Sequence, residues 1–356
     1  MLGTEPPVSR NVGVSPVRDL RIDRTVFGAR NHRSTTAMIE QPSRNIHAGA
    51  VVRNQTVCRD HQRLTFRVDT FAEASPGQFV HVCPETDTSE SEGYRVIEWN
   101  DGPPVMSWAV VAPPPMLRRA YSVADLRRTG EGVEIDILYR VVGRGTRWLR
   151  SLRPGDSLSA LGPLGNAFPI SGHKRHAWMV AGGVGIPPML WLAEALRASS
   201  KSAVAFCGAQ SADLVALSLD EAIPPSHDAT FTTLSAAEFA AHGVPVIIST
   251  DDGTLGYRGH IGSALEAHYA ARVPDPGDLV VYTCGPERMM RFVAEFCVSR
   301  GIECHVCMER AMACGTGMCQ SCVVPLRGDG GWSYRLCCTD GPIFSAENVL
   351  WETPAK

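Results

Sequence analysis

The stretch AWMVAGGVGIPPMLWLAEALRA, residues 177–198, decides how the rest of the chain is read. It opens as a continuous apolar run of strand length, breaks at Gly182, Gly183 and Gly185, and resumes from Ile186 as an amphipathic helix. Pro187 suits the first helical turn, where its missing N–H leaves no hydrogen bond unmade. Buried strand, glycine turn and helix together make half of a βαβ unit. The texture returns in AVAFCGA (203–209) and in LVVYTCG (279–285), which runs into PERMMRFVAEFCVSRG (286–301). Residues 163–301 are therefore expected to form an α/β domain around a parallel sheet.

An open parallel sheet holds its ligand in the crevice at the carboxyl ends of its strands. Gly182, Gly183, Gly185 and Pro187 depart from the G-x-G-x-x-G fingerprint, but they still let a dinucleotide backbone approach the helix start. A plain strand-to-helix turn would use the same glycines. Cys284, Gly285 and Pro286 repeat the arrangement after the last parallel strand, with Cys284 read either as facing a nicotinamide or as a small apolar filler. No Arg or Lys lies between Gly208 and Leu219, whereas Asp213 does, so NADH is expected over NADPH.

Upstream, residues 51–162 hold short β-type runs such as LTFRVDTF (64–71) and VEIDILYRVV (133–142), parted by the turns SPGQ (75–78) and RPGD (153–156). This pattern predicts an antiparallel barrel. An acidic and then proline-rich insertion, residues 85–115, interrupts it. Arg119, Ala120, Tyr121 and Ser122 can offer a guanidinium to phosphate, a phenol ring to an isoalloxazine face and a hydroxyl to its edge. Leu138, Tyr139 and Arg140 end a strand and join this candidate FAD site. Gly145 and Thr146, within GRGT, open a helix whose first amides suit a pyrophosphate.

Downstream, seven of the twelve cysteines crowd into the segment after residue 301. Cys314, Cys319 and Cys322 stand as C-x4-C-x2-C around Gly315 and Gly317, and Cys337 and Cys338 follow the hairpin-like VVPLRGDGGWSYRL. This is the ligand spacing of a plant-type [2Fe-2S] cluster. The competing reading is zinc held by Cys304-x2-Cys307 with Cys319-x2-Cys322. Against it, ECHVC alternates as a strand and would turn Cys304 and Cys307 to opposite faces. Residues 302–356 are expected to be a small cluster domain, too short to bury a sizeable core unaided.

The chain has 356 residues, 44% hydrophobic and 20% charged, with a net charge of -3. These figures predict several soluble globular domains with no electrostatic footprint for nucleic acid. The glycines, prolines and Glu194 of the most apolar stretch are the wrong texture for a bilayer span. Residues 1–50, with seven arginines and no apolar period, are read as a disordered extension, with an Arg- and Ser-rich transit peptide as the alternative and Met38 as a possible start. Cysteine usage without an apolar leader points to a reducing cytoplasm.

Taken together, RAYS, GRGT, GGVGIPP, CGP and ERAMACGTGMCQSC…CTDGPIF resemble the ferredoxin–NADP reductase superfamily, and most closely the electron-transfer subunits of NAD-dependent dihydroorotate dehydrogenase. The likeness spans residues 51–344. It implies a FAD barrel, a nucleotide domain and a [2Fe-2S] domain in that order. It also implies the cluster ligands Cys314, Cys319, Cys322 and Cys338, with Cys337 as the alternative fourth. The first fifty residues and the 85–115 insertion have no counterpart in that pattern. The resemblance further implies a heterotetramer with an FMN-containing catalytic subunit of pyrimidine biosynthesis, where electrons cross singly through the cluster and FAD exchanges a hydride with NAD. FAD is needed because a nicotinamide moves two electrons at once and a cluster one. Sulfite reductase and hydrogenase subunits and stand-alone NAD(P)H:ferredoxin-type reductases share the frame, and a cluster-based redox sensor is the non-enzymatic alternative. None of the eleven histidines is assigned a catalytic role.

Overall fold

The computed structural model describes residues 45–84, 117–328 and 330–352. They belong to the compact unit Pro42–Lys356, and the other unit, Met1–Gln41, lies outside the described residues. So does the expected insertion at 85–115.

Strands β1 (Asn45–Cys58), β2 (His61–Val68), β3 (Phe79–Pro84), β4 (Arg119–Thr129), β5 (Gly132–Arg140) and β6 (Ser157–Leu164) close into a barrel in the order β1-β2-β5-β4-β3-β6. Every pairing is antiparallel. Alternation along the strands fills the barrel: Leu64 and Phe66 of β2, Val80 and Val82 of β3, and Ile135 and Ile137 of β5 share one core. Helix α1 (Arg144–Ser151) adds the buried Leu149 to it. The barrel starts earlier than expected, since residues 45–50 pair with β6 rather than belonging to an extension. Gly49 makes this possible, its Cα lying where a Cβ would be 3.1 Å from Leu158 and Phe66.

The second layer is the predicted α/β sheet. Strands β7 (His176–Gly182), β8 (Ser202–Ala209), β9 (Val246–Thr250), β10 (Tyr257–Arg258), β11 (Leu279–Cys284) and β12 (Glu303–Cys307) run parallel. Helices α2 (Ile186–Ala198), α3 (Ala237–Ala240), α4 (Ile261–Arg272) and α5 (Glu287–Val298) connect them. A hairpin, β13 (Val323–Gly328) with β14 (Gly331–Leu336), and a last strand β15 (Ile343–Ser345) complete the chain, giving the sheet order β10-β9-β8-β7-β11-β12-β15. Trp178, Val180, Phe206 and Val281 face α4 and α5, while Ala177, Met179, Cys207 and Tyr282 face α2. Burial on both faces explains why these strands read as unbroken apolar runs.

The expected boundary at 302 is displaced. Residues 303–307 continue the nucleotide sheet as β12, and β15 returns antiparallel beside it. The cysteine-rich segment is thus an excursion between two neighbouring strands. It buries its apolar residues in a shared core: Cys322, Val324, Cys337, Phe344 and Val349 pack in one cluster with Phe79 of the barrel and Leu279 of the sheet. Composition hides this, because its apolar residues are too few for a separate core but enough to extend an existing one.

Candidate functional site

Two clefts and a thiol loop meet between barrel and sheet. The first cleft, about 350 Å³, is lined by Ala120, Tyr121 and Ser122 of β4 and by Leu138, Tyr139 and Arg140 of β5, six of the residues singled out from sequence. Tyr121 stands edge-on to Tyr139 with ring centroids 6.0 Å apart, and Tyr139 donates to Asn54 at 3.2 Å, fixing the wall. Burial pushes the Tyr121 phenol up to about 12, so it stays an uncharged donor. Arg119, exposed at the rim, donates to the carbonyls of Leu117 and Arg118. Its Cγ lies 3.7 Å from where a Cβ on Gly145 would be, so the Arg119 stem passes beside the start of α1.

Thr146 lies in the first turn of the helix, as the sequence suggested. Its hydroxyl accepts from the amides of Val142 and Gly143 at 2.9 and 3.0 Å, so it builds the turn that starts α1. The amides of residues 144–146 precede the first helical bond, Arg147 N–H to Gly143 carbonyl, and are the groups left for an anion.

The second cleft, about 540 Å³, lies at the carboxyl ends of the parallel strands where the strand order reverses between β7 and β11. Gly182, Gly183 and Pro286 line it. Gly185, Pro187, Cys284 and Gly285 sit behind that lining and shape it. A Cβ on Gly185 would be 2.1 Å from the Cys284 carbonyl oxygen, and one on Gly285 (φ +143°) would be 2.8 Å from the Gly182 oxygen. The two glycine turns are therefore packed backbone to backbone. Cys284 is 1% exposed within the apolar core, beside Cys307. Asp213 carries a partner the local sequence does not reveal: Arg59, from the β1–β2 turn, pairs with it at 3.1 Å. A cation thus stands where sequence inspection finds none. Arg140, Val184 and Glu309 line both clefts, making them one trough.

From the first cleft, Met308, Glu309, Arg310 and Met312 lead to the cysteine loop. Gly315 (φ +72°) and Gly317 (φ +87°) allow the left-handed backbone that curls it. The amides of Thr316 and Cys319 point at the Cys314 sulfur, each at 3.4 Å, and these bonds, that from Cys319 first, hold its thiol down at about 6. Ser321 lowers Cys319 likewise. The Cys338 thiol is pushed up to about 12, by burial first and then by the neighbouring Cys322 thiol. Cys337 instead donates to the Met308 carbonyl at 3.2 Å and is fully buried. Among the described residues no three His, Cys, Asp or Glu side chains converge on a single metal ion. Cys304 and Cys307, the other half of the zinc alternative, lie in different cores on opposite faces of the sheet. Thiols spread around a loop whose amides point at sulfur suit a binuclear cluster, in which each iron takes a pair of thiolates.

Sequence reading missed His81. It lies on β3 with no exposed surface, and neither ring nitrogen has a hydrogen-bond partner. Burial first, then Arg118 and Arg119, depress its pKa to about 4, so the imidazole is neutral near pH 7. Its only sequence signal is a polar residue inside the apolar run FVHV.

A nucleotide crevice opening onto a barrel cleft, with a cysteine loop beyond it, defines a flavin and iron–sulfur oxidoreductase subunit that uses FAD, a [2Fe-2S] cluster and NAD(H). The profile of the iron–sulfur cluster binding domain of dihydroorotate dehydrogenase B matches residues 309–350, and that of the oxidoreductase NAD-binding domain matches 179–295. The chain is 31% identical over 282 residues to the dihydroorotate dehydrogenase B (NAD(+)) electron transfer subunit of Desulforamulus reducens, covering 78% of this chain and 88% of that one. It is 34% identical over 236 residues to the protein of that name from Caldanaerobacter subterraneus, covering 66% and 81%. The chain belongs to this family of electron transfer subunits. The solved NADH-dependent reduced ferredoxin–NADP oxidoreductase superposes with a TM-score of 0.62 at 24% identity, over 85% of this chain and 90% of that one, a likeness of fold.

Proposed function

We propose that this chain relays electrons between NAD(H) and a separate FMN-containing dihydroorotate dehydrogenase subunit, within a heterotetramer serving pyrimidine biosynthesis. The observation that carries the reading is the continuity of the site: Arg140, Val184 and Glu309 are shared by the two clefts, and the segment from Met308 to Met312 joins the flavin cleft to the cysteine loop. When bound, FAD supplies the exchange between paired electrons on the nicotinamide side and single electrons on the cluster side. The chain's own groups place and tune. Tyr121, Ser122 and Leu138 bound the flavin ring, Arg119 and the first amides of α1 take the pyrophosphate, and the Gly182–Gly183 turn admits the dinucleotide.

Cys314, Cys319, Cys322 and Cys338 are the ligands in this reading, and Cys337 stays a structural thiol. Met318, between two of them and 85% exposed, offers an apolar contact to a docked partner. Asp213 would accept from a ribose hydroxyl, favouring NADH, with Arg59 holding it in place. None of the twelve cysteines is in a disulfide, which leaves the four proposed ligands available to the cluster, and no described helix is long and apolar enough to cross a membrane.

The deciding experiment is an anaerobic titration of the purified chain with NADH, followed by visible spectroscopy and by analysis of co-purifying FMN protein. Bleaching of both the flavin and the broad iron–sulfur bands, with an FMN subunit at equal stoichiometry, is expected. Flavin bleaching with a cluster that stays oxidised would break the relay. Full turnover with a soluble acceptor and no FMN partner would point to a stand-alone reductase.

A further inference from the structure

We propose that the His81 imidazole donates an N–H hydrogen bond to the iron–sulfur centre and so helps to set its reduction potential, an inference that rests on Cys314 being a cluster ligand. The pleat of β3 puts it there. Val80 and Val82 turn into the barrel core, so Phe79 and His81 turn outward, and what covers the barrel at that point is the cysteine loop. Phe79 lines the flavin cleft, and its ring centroid is 5.8 Å from that of His81. On the other side the ring lies against Gly315, the residue after Cys314. A Cβ there would be 2.6 Å from Cε1, 2.8 Å from Nε2 and 3.0 Å from Nδ1. The imidazole therefore sits between flavin cleft and cluster loop, and the loop carries a glycine where any side chain would strike it.

Burial makes the ring's hydrogen bonding consequential. Both nitrogens are inaccessible to solvent and lack partners among the described residues. A neutral or a protonated imidazole has at least one N–H, and leaving a buried donor unpaired costs about 1–3 kcal/mol. Among the described residues, Arg118 is itself a donor and is spent on the carbonyl and hydroxyl of Ser159 at 3.1 and 2.7 Å. A cluster held by Cys314, the residue before Gly315, would supply sulfur acceptors close to this ring. An N–H directed at them favours the more negative, reduced centre and raises its potential.

The test uses the full chain with its FAD and cluster. Potentiometric titration monitored by electron paramagnetic resonance should show the cluster midpoint of His81→Phe shifted to more negative values, with the FAD midpoint unmoved. His81→Gln, which keeps an N–H donor, should recover part of the shift. An unchanged midpoint in His81→Phe overturns the proposal. Should His81→Phe not retain its cluster, wild-type chain labelled with 15N-histidine decides the matter by pulsed spectroscopy of the reduced centre. A 15N coupling is expected; a full cluster signal without it overturns the role of His81 alone. No cluster signal at all overturns the ligand assignment beneath it.

Discussion

Cys337 and Cys338 are neighbours in the chain with opposite surroundings, the first facing the Met308 carbonyl and the second Cys322. Sequence alone leaves both open as the fourth ligand, because a one-residue change of register reverses every side chain in a strand. The turn after β14 is tight and sends the two side chains to different surroundings: the amides of Thr339, Asp340 and Gly341 all return to the Leu336 carbonyl, and Asp340 accepts from the Leu336 amide at 2.7 Å. Cys337→Ala should keep a full complement of iron, whereas Cys338→Ala should lose the cluster. Iron content per chain and the visible spectrum read the difference, and equal losses in the two variants would refute the ligand choice. His81 and Arg59 were illegible for a related reason. Each acts across a gap in sequence of more than a hundred residues, and no spacing rule connects β3 to Gly315 or the β1–β2 turn to Asp213.

Among the elements, the glycine turn after β7 was legible in kind and not in purpose. The GGVGIPP string marks the strand-to-helix turn, and Gly182 and Gly183 do face the crevice. Gly185 is glycine because the Cys284 carbonyl lies against it, a contact between two turns that the sequence holds apart. Its φ is -80°, which any residue adopts, so the constraint is space and not backbone conformation. Gly185→Ala must therefore push apart β7 and β11, an overpacking that costs about 1–3 kcal/mol. Chemical denaturation should show that loss, together with weaker NADH binding at unchanged FAD content. A variant as stable as wild type would mean that the two turns can yield.

At the scale of the whole molecule, the order barrel, parallel sheet, cysteine segment was readable because each has its own texture: turns between short strands, strand–helix alternation, crowded cysteines. Their boundaries were not, because the cores run together. Ala124 of β4 packs with α2, Trp191 of α2 packs with the barrel core, and Phe79 packs with the cysteines. A chain ending after Met308 should accordingly expose the edge of β12 and part of this core, and is expected to be aggregated or to lack a cooperative melt. A monomeric, cooperatively melting truncation by sedimentation and calorimetry would show that the cysteine segment is dispensable to the fold.

The cysteine segment leaves the sheet at β12 and rejoins it at β15, the adjacent strand. A redox group carried on a single flexible tether can swing out to meet its acceptor. One joined to the sheet at both ends has that swing restricted, and in the proposed relay this keeps the flavin and cluster sites at a nearly constant spacing. In the proposed relay a partner must then come to the loop that carries the exposed Met318, rather than the loop to the partner.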